Sequence, residues 1–360
     1  MNIRKAILTG GGHATRLYPI TTTINKHLLP LANKPMIFHA IEKVVEAGIT
    51  DIFINTNPGE IELQKHIGDG GHWGVRIRFF EQEGGPQGIA HVVKQAQDFI
   101  GDDPFIFYLS DNILLGSLKD IIQDFRAGSF DCMLALSRVE DPERFGIPYF
   151  NESKELIDVV EKPSKPPNNL AVTGIYLYGP KVFFEAFDHI KKSPRGEYEI
   201  SSIHSHFLKT GRRVGYKEIT GWWKDTGKVE DLLLANQLLL DCLPEKSLAL
   251  SLNIHKDAKI KGIVHIGLGS VIGQNTEILG PVIIGENCVL ENCSVGPNVT
   301  LGPGVELLGP RIQNSIILAN SSIQAPLGIK DSIIGRQVQI RRLDSDTQSF
   351  VLGDKSILNL

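Results

Sequence analysis

Two stretches of the sequence bring together residue types that could do chemistry on a phosphate. The first runs Leu8-Thr9-Gly10-Gly11-Gly12-His13-Ala14-Thr15-Arg16-Leu17 and continues through Pro19 and Thr21 to Lys26-His27-Leu28-Leu29-Pro30. Three consecutive glycines after the apolar run Ala6-Ile7-Leu8 let the backbone turn tightly and bring N–H groups close to an anion. Arg16 and Lys26 add two fixed positive charges. The spacing matches neither GxGxxG, since Thr15 stands where the last glycine belongs, nor GxxxxGK[ST], so neither a dinucleotide site nor a P-loop is indicated. Ordinary turn chemistry is the alternative. The second stretch is Asp111-Asn112, directly after the most apolar run, Phe105 to Ser110. In open α/β sheets ligands bind beyond the carboxyl ends of strands, so this carboxylate and the glycine loop would face one crevice. Asp111 taken alone is equally an ordinary turn aspartate.

The elements that must position these residues alternate. Strands are expected at 4–8, 51–55, 75–80 and 105–110, and helices from Lys34-Pro35 to Gly48, at 60–67 and at 88–99. This is the pattern of an α/β sheet with helices on both faces. Beyond 131–139 the strands shorten, around Ile147, 157–160 and 172–178, and helices follow near 179–187 and 197–208 before a strand at 213–218. A helix over 227–240 is expected to close this domain.

The last third changes character. Ile260, Ile266, Ile272, Ile278, Ile284 and Leu290 recur every six residues; Val289, Val295, Leu301 and Leu307 continue the series with a slip, and Ile317, Ile323 and Ile329 resume it. That is the hexapeptide repeat of a parallel β-helix, whose aliphatic residues point inward while small residues take the corners. The expected domains are therefore 1–243 and 244–360.

Composition bounds the function. With 360 residues, two domains are the prior. A net charge of −4 argues against a sequence-independent nucleic-acid surface. No apolar run is long enough for a signal peptide or a membrane span, so a cytoplasmic protein is expected. Cys132, Cys242, Cys288 and Cys293 show no CxxC spacing and sit in apolar segments, which reads as buried free thiols. His204 and His206, two apart on an expected helix, face different sides and make a poor metal pair.

Several stretches, in order, resemble the sugar-1-phosphate nucleotidyltransferases. The loop is similar to that family's LxGGxGTRLxPxTxxxxKxLxPxxxKP signature through Gly10, Gly11, Thr15, Arg16, Leu17, Pro19, Thr21, Lys26, Leu28, Pro30, Lys34 and Pro35. Gln82, Pro86, Gly88 and Ala90 resemble its base-binding segment, Asp111-Asn112 its metal-binding pair, and Asp141 to Gly146 its sugar-side turn. Glu161-Lys162-Pro163, Val172 to Tyr176, Pro194 to Glu197 and Trp223 to Gly227 follow in the family's order. Ser332 to Arg336 and Val351 to Asp354 look like the usual ending of its long form, in which a Rossmann-like nucleotidyltransferase sheet precedes a left-handed parallel β-helix.

The resemblance implies direct transfer of a thymidylyl group from dTTP to α-D-glucose 1-phosphate. Arg16, Lys26 and Lys162 would be catalytic, and Gly10, Gly11, Thr15, His27, Gln82 and Gly88 would bind the nucleotide. Gly146, Glu161, Lys162, Gly174, Tyr176, Arg195 and Trp223 would bind the sugar phosphate, and Asp111 and Asp225 would hold Mg²⁺. A nucleoside triphosphate and a sugar 1-phosphate are then the partners, with neither nucleic acid nor membrane, in a homo-oligomer. The sequence departs from the pattern by an extra residue around Gly12-His13, by Ala14 in a glycine position, by a longer 82–88 segment and by His27 for a frequent glutamine. The competing readings are a UTP or amino-sugar-phosphate enzyme, a second acetyltransferase activity using a base such as His265, and a sugar-nucleotide-sensing regulatory subunit.

Overall fold

The computed structural model describes residues 2–12, 14–85, 87–219, 221–245 and 253–341. The chain divides into two compact units: Met1–Gly12 with Met36–Asp225, and His13–Pro35 with Thr226–Leu360. The second therefore includes a segment, 13–35, that lies in sequence inside the expected first domain.

In the first unit the strands are β1 (Lys5–Thr9), β2 (Asp51–Thr56), β3 (Arg76–Glu81), β4 (Phe105–Tyr108), β5 (Asn112–Leu114), β6 (Cys132–Arg138), β7 (Gly146–Phe150), β8 (Leu156–Glu161), β9 (Leu170–Tyr178), β10 (Val214–Glu218) and β11 (Trp223–Asp225). The helices are α1 (Met36–Glu46), α2 (Glu62–Ile67), α3 (Ile89–Gln95), α4 (Gln97–Ile100), α5 (Lys119–Gly128), α6 (Val182–Phe187) and α7 (Ile200–Lys209). Among the described residues nine strands form one sheet, in the order β8–β7–β9–β4–β1–β2–β3, with β6 beside β9 and β10 beside β6. The core β4–β1–β2–β3 is parallel, and β9 joins it antiparallel to β4. This Rossmann-like arrangement sends β1, β2, β3 and β4 to one common edge. Ile7 on one face of β1 and Ala6 and Leu8 on the other are all fully buried, which is why the strand reads as a continuous apolar run. The pair β5 and β11 forms a separate antiparallel ribbon.

The helix expected from Lys34-Pro35 begins at Met36 instead. Lys34–Pro35 pairs as a short strand with Pro30–Leu31, and the turn between them has positive φ at both Ala32 and Asn33, the requirement of a tight type I′ hairpin. Helix α8 (Val229–Asp241) was expected to close the sheet domain; it groups with the second unit. Its buried Asn236 accepts hydrogen bonds from Ala32 N and Thr300 Oγ1, which ties it to segment 14–35 and to the repeat.

The repeat folds as three parallel sheets, each of five strands among the described residues, wound by one chain as in a parallel β-helix. Lys259 faces Glu277 and Glu277 faces Ser294, so the coil advances by 18 and then 17 residues. Ile266, Ile272, Ile278, Ile284, Leu290, Val295, Leu301, Leu307, Ile317 and Ile323 form its interior. Val289 points outward at 43% exposure, because neighbours on a strand face opposite ways and Leu290 occupies the inward place. Corners are taken by asparagine as well as by small residues: Asn275, Asn292 and Asn298 all have positive φ, a conformation asparagine tolerates better than most residues.

Cys132, Cys288 and Cys293 are buried free thiols, whereas Cys242 is exposed, since it lies just past the end of α8. No helix among the described residues is long and apolar enough to cross a membrane.

His204, on α7, is fully buried with its Nε2 2.9 Å from the Tyr178 hydroxyl. Burial pushes its pKa down to about 3. The unfolded chain, with an ordinary histidine pKa near 6.5, then binds the proton that the folded state refuses, so stability falls as pH drops below about 6.5. His204→Gln should flatten the thermal-unfolding profile between pH 6.5 and 4.5 by roughly 2 kcal/mol; an unchanged slope would show that this imidazole is not the group responsible.

Candidate active site

The carboxyl ends of β1, β2, β3 and β4 open into one pocket in the first unit. Thr9, Gly11, Gly12, Asn55, Gln82 and Asp111 line it from these ends. The glycine turn is held by two asparagines that the sequence reading did not single out. Gly10 N donates to Asn55 Oδ1 at 3.1 Å, and Gly12 N donates to Asn57 Oδ1 at 2.8 Å. Gly10 is glycine for packing: a Cβ there would lie 2.6 Å from Leu63 Cδ2 and 2.7 Å from Asn55 O. The available signal was a pair of asparagines, two apart, at the end of β2.

Asp111 is held by the residue after it. Asn112, 3% exposed, donates from Nδ2 to Asp111 Oδ1 at 2.9 Å. Its Oδ1 accepts from Gly174 N at 3.2 Å and from Trp223 Nε1 at 2.9 Å. One buried carboxamide thus joins the end of β4, the bend in β9 and the start of β11. In the β5–β11 ribbon Asp225 is the register partner of Asn112, and both Asp111 and Asp225 line the pocket. Gly174 is required by packing, since a Cβ would meet Leu109 Cβ at 2.7 Å.

A second group of predicted residues meets on the same pocket: Gly146, Glu161, Lys162, Gly174, Tyr176, Arg195 and Trp223. Gly146 and Glu161 are register partners in β7 and β8. Lys162 Nζ lies 3.4 Å and Arg195 Nη2 3.7 Å from Glu161 Oε1. Arg195 pairs with Glu199, the ion pair that its spacing of four residues allows: Nη2 and Nε reach its Oε1 at 2.8 and 3.2 Å, and Ser193 Oγ donates to the same oxygen at 2.7 Å. Tyr176 is 3% exposed and stacks on Phe107, and burial, reinforced by Glu161, raises its hydroxyl pKa. It is mainly a core residue with one edge on the pocket. Gly88 also lines the pocket, but the Tyr198 backbone occupies the space beside it, with Tyr198 O 2.5 Å from a would-be Cβ.

Thr15, Arg16, Lys26 and His27 belong to the second unit. Thr15 and Arg16 are exposed, while Lys26 and His27 are buried in a 3₁₀ turn capped by Asn25, whose Oδ1 accepts from His27 N. Ala14 adopts φ 44°, ψ 43°, the left-handed conformation for which glycine is the natural residue. His265 has its Nε2 3.3 Å from Pro244 O. His13, Pro86 and the Val351 to Asp354 ending lie outside the described residues.

The family model described as nucleotidyl transferase matches residues 5–241, spanning the sheet, the glycine-rich loop and both aspartates. The chain belongs to the sugar-1-phosphate nucleotidyltransferase family. A second model, described as the GMPPB C-terminal domain, matches residues 278–359. The chain is 39% identical to the low-salt glycan biosynthesis nucleotidyltransferase Agl11 of Haloferax volcanii, over 99% of this chain and all of that one. It is 36% identical to a glucose-1-phosphate thymidylyltransferase of Streptomyces griseus, over 98% of each. A solved Bacillus anthracis structure, described as a candidate glucose-1-phosphate thymidylyltransferase with sucrose bound, superposes with a TM-score of 0.62 at 38% identity, covering 67% of this chain and 97% of that one.

Because Asn112 serves three partners in this nucleotidyltransferase, its substitutions should separate. Asn112→Ala leaves the Gly174 and Trp223 donors unpaired and should cost roughly 2–4 kcal/mol in chemical denaturation. Asn112→Asp keeps both acceptor bonds but loses the donor to Asp111 and sets a second buried carboxylate against it, so it should fold with reduced stability, most reduced where both carboxylates ionise, while its activity profile moves to higher pH. A wild-type pH profile for the folded Asp variant would contradict this role.

Proposed function

We propose that the protein transfers a thymidylyl group from dTTP to α-D-glucose 1-phosphate, giving dTDP-glucose and pyrophosphate. The observation that carries this reading is the single pocket lined by Asp111 and Asp225 together with Glu161, Lys162 and Arg195, in a chain similar over 98% of its length to a glucose-1-phosphate thymidylyltransferase. An oxygen of the sugar phosphate attacks the α-phosphorus, a P–O bond forms, and the α–β bridging P–O bond breaks with its electron pair leaving on pyrophosphate. No covalent enzyme intermediate is needed; the barrier is the mutual repulsion of two anions and the line of attack.

In this reading Lys162 holds the attacking phosphate, and Arg16 and Lys26 supply charge to the triphosphate and the departing pyrophosphate. Gly10, Gly11, Thr15 and His27 contact the nucleotide, Gln82 hydrogen-bonds the base edge, and Gly88 shapes that side. Glu161 accepts from sugar hydroxyls, Arg195 contacts the sugar phosphate, and Gly146, Gly174, Tyr176 and Trp223 form the surface against the ring.

The donor set fits Mg²⁺. Asp111 and Asp225 offer hard carboxylate oxygens to one pocket, the donor type for a cation that shares its shell with phosphate and water. When bound, it screens the triphosphate charge. The β-helix winds left-handed in this reading, and its exposed Val271, Leu279, Val289 and Leu308 support assembly into a homo-oligomer.

The test is pyrophosphate release with Mg²⁺ across four nucleoside triphosphates and several sugar 1-phosphates. The highest kcat/KM is expected with dTTP and glucose 1-phosphate. A pocket distinguishes a single methyl by only about 1–3 kcal/mol, so UTP should remain a poor substrate rather than an excluded one. A preference for UTP would overturn the assignment. Asp111→Asn should lower the rate at least a hundredfold, and an unchanged rate would place the chemistry elsewhere.

A further inference from the structure

We propose that Asn236 and Asn33 are positioning residues for nucleotidyl transfer: they fasten segment 14–35, which carries Arg16 and Lys26, to helix α8 and to the β-helix. This rests on the phosphate-handling reading of Arg16 and Lys26 given above.

Polar ties hold the segment inside the second unit. Asn236, 1% exposed on α8, accepts at Oδ1 from Ala32 N and from the fully buried Thr300 hydroxyl, both at 2.9 Å. The neighbouring Asn33 donates from Nδ2 to Leu301 O at 2.7 Å. Farther along, Arg336 Nη2 donates to Thr23 O at 3.0 Å. Thr300 and Leu301 belong to one β-helix strand, Val299–Leu301, so the two asparagines grip a single rung from two directions. Ala32 and Asn33 form the positive-φ turn between Pro30–Leu31 and Lys34–Pro35, which makes this tip a rigid object rather than a slack loop.

Such ties bear on binding, because a segment held in the free protein need not be ordered when ligand arrives. Ordering at that moment subtracts from binding, whereas contacts already present in the free protein remove the cost. These bonds also fix one register, since any shift of the segment would separate the Ala32 amide from Asn236 Oδ1 and the Asn33 side-chain amide from Leu301 O. Loosening the ties should therefore weaken the handling of the nucleotide and spare that of the sugar phosphate, whose proposed ligands all belong to the first unit.

The test uses the full-length enzyme with dTTP and glucose 1-phosphate varied separately. Asn33→Gly removes one tie yet suits the positive φ of the turn, so it should fold. Asn236→Leu removes another, and Asn236→Asp retains an oxygen that accepts from both partners. We expect Asn33→Gly and Asn236→Leu to raise KM for dTTP at least fivefold, with KM for glucose 1-phosphate within twofold of wild type and with Asn236→Asp restoring the dTTP value. Wild-type KM for dTTP in a folded Asn33→Gly enzyme would overturn the proposal, as would an equal rise in both KM values. Arg16→Ala is the control on the underlying reading. If it leaves kcat/KM unchanged, that reading falls and the positioning role with it; if it abolishes activity while Asn33→Gly and Asn236→Leu behave as wild type, the positioning role alone falls.

Discussion

The pocket of the first unit depends on how one buried carboxamide is satisfied. Asn112 follows the end of the most apolar strand, where the chain must leave the sheet, and its side chain bonds to an aspartate beside it, a glycine amide in β9 and an indole in β11. Each partner comes from a different part of the chain, and each is on or beside the pocket wall. A buried amide left half-satisfied costs more than it contributes when complete. The arrangement therefore fixes the wall that Asp111 and Asp225 line, and Trp223 packs at a steep angle against Phe145.

The same logic recurs at the other polar positions. Asn55 and Asn57 fix the glycine turn, Glu199 gathers Arg195 and Ser193, and Asn236 joins two segments of the second unit. These side chains are not the ones expected to touch substrate. They hold backbone N–H groups and the Arg195 guanidinium in fixed positions before any ligand arrives, which is what preorganisation means. Glycines divide in a related way. Gly10, Gly88 and Gly174 are glycine because protein atoms already occupy the Cβ position, so their presence in a motif reports close packing of the wall as much as the approach of a ligand.

The second unit shows how a repeat and a loop become one body. Inward aliphatic residues stack coil on coil, while the polar edge of one rung receives the turn at Ala32 and Asn33. Helix α8 has a buried asparagine in its middle, a residue that an apolar partner surface alone would not accept. Its partners are the explanation.

Periodic and ordered features were legible in the sequence: the alternation of strands and helices, the six-residue aliphatic repeat, and the succession of motifs from Gly10 to Asp225. Those depend on local geometry, strand pleat and coil length, which a one-dimensional pattern records directly. Tertiary structure alone decided the rest. It assigned 13–35 and α8 to the β-helix unit, turned Val289 outward, and exposed Cys242 at a helix end. It also gave Asn55, Asn112 and Asn236 their tasks. A hydrogen-bonding side chain carries no mark of its partner in sequence, because the partner is chosen by elements that meet only after the chain has folded.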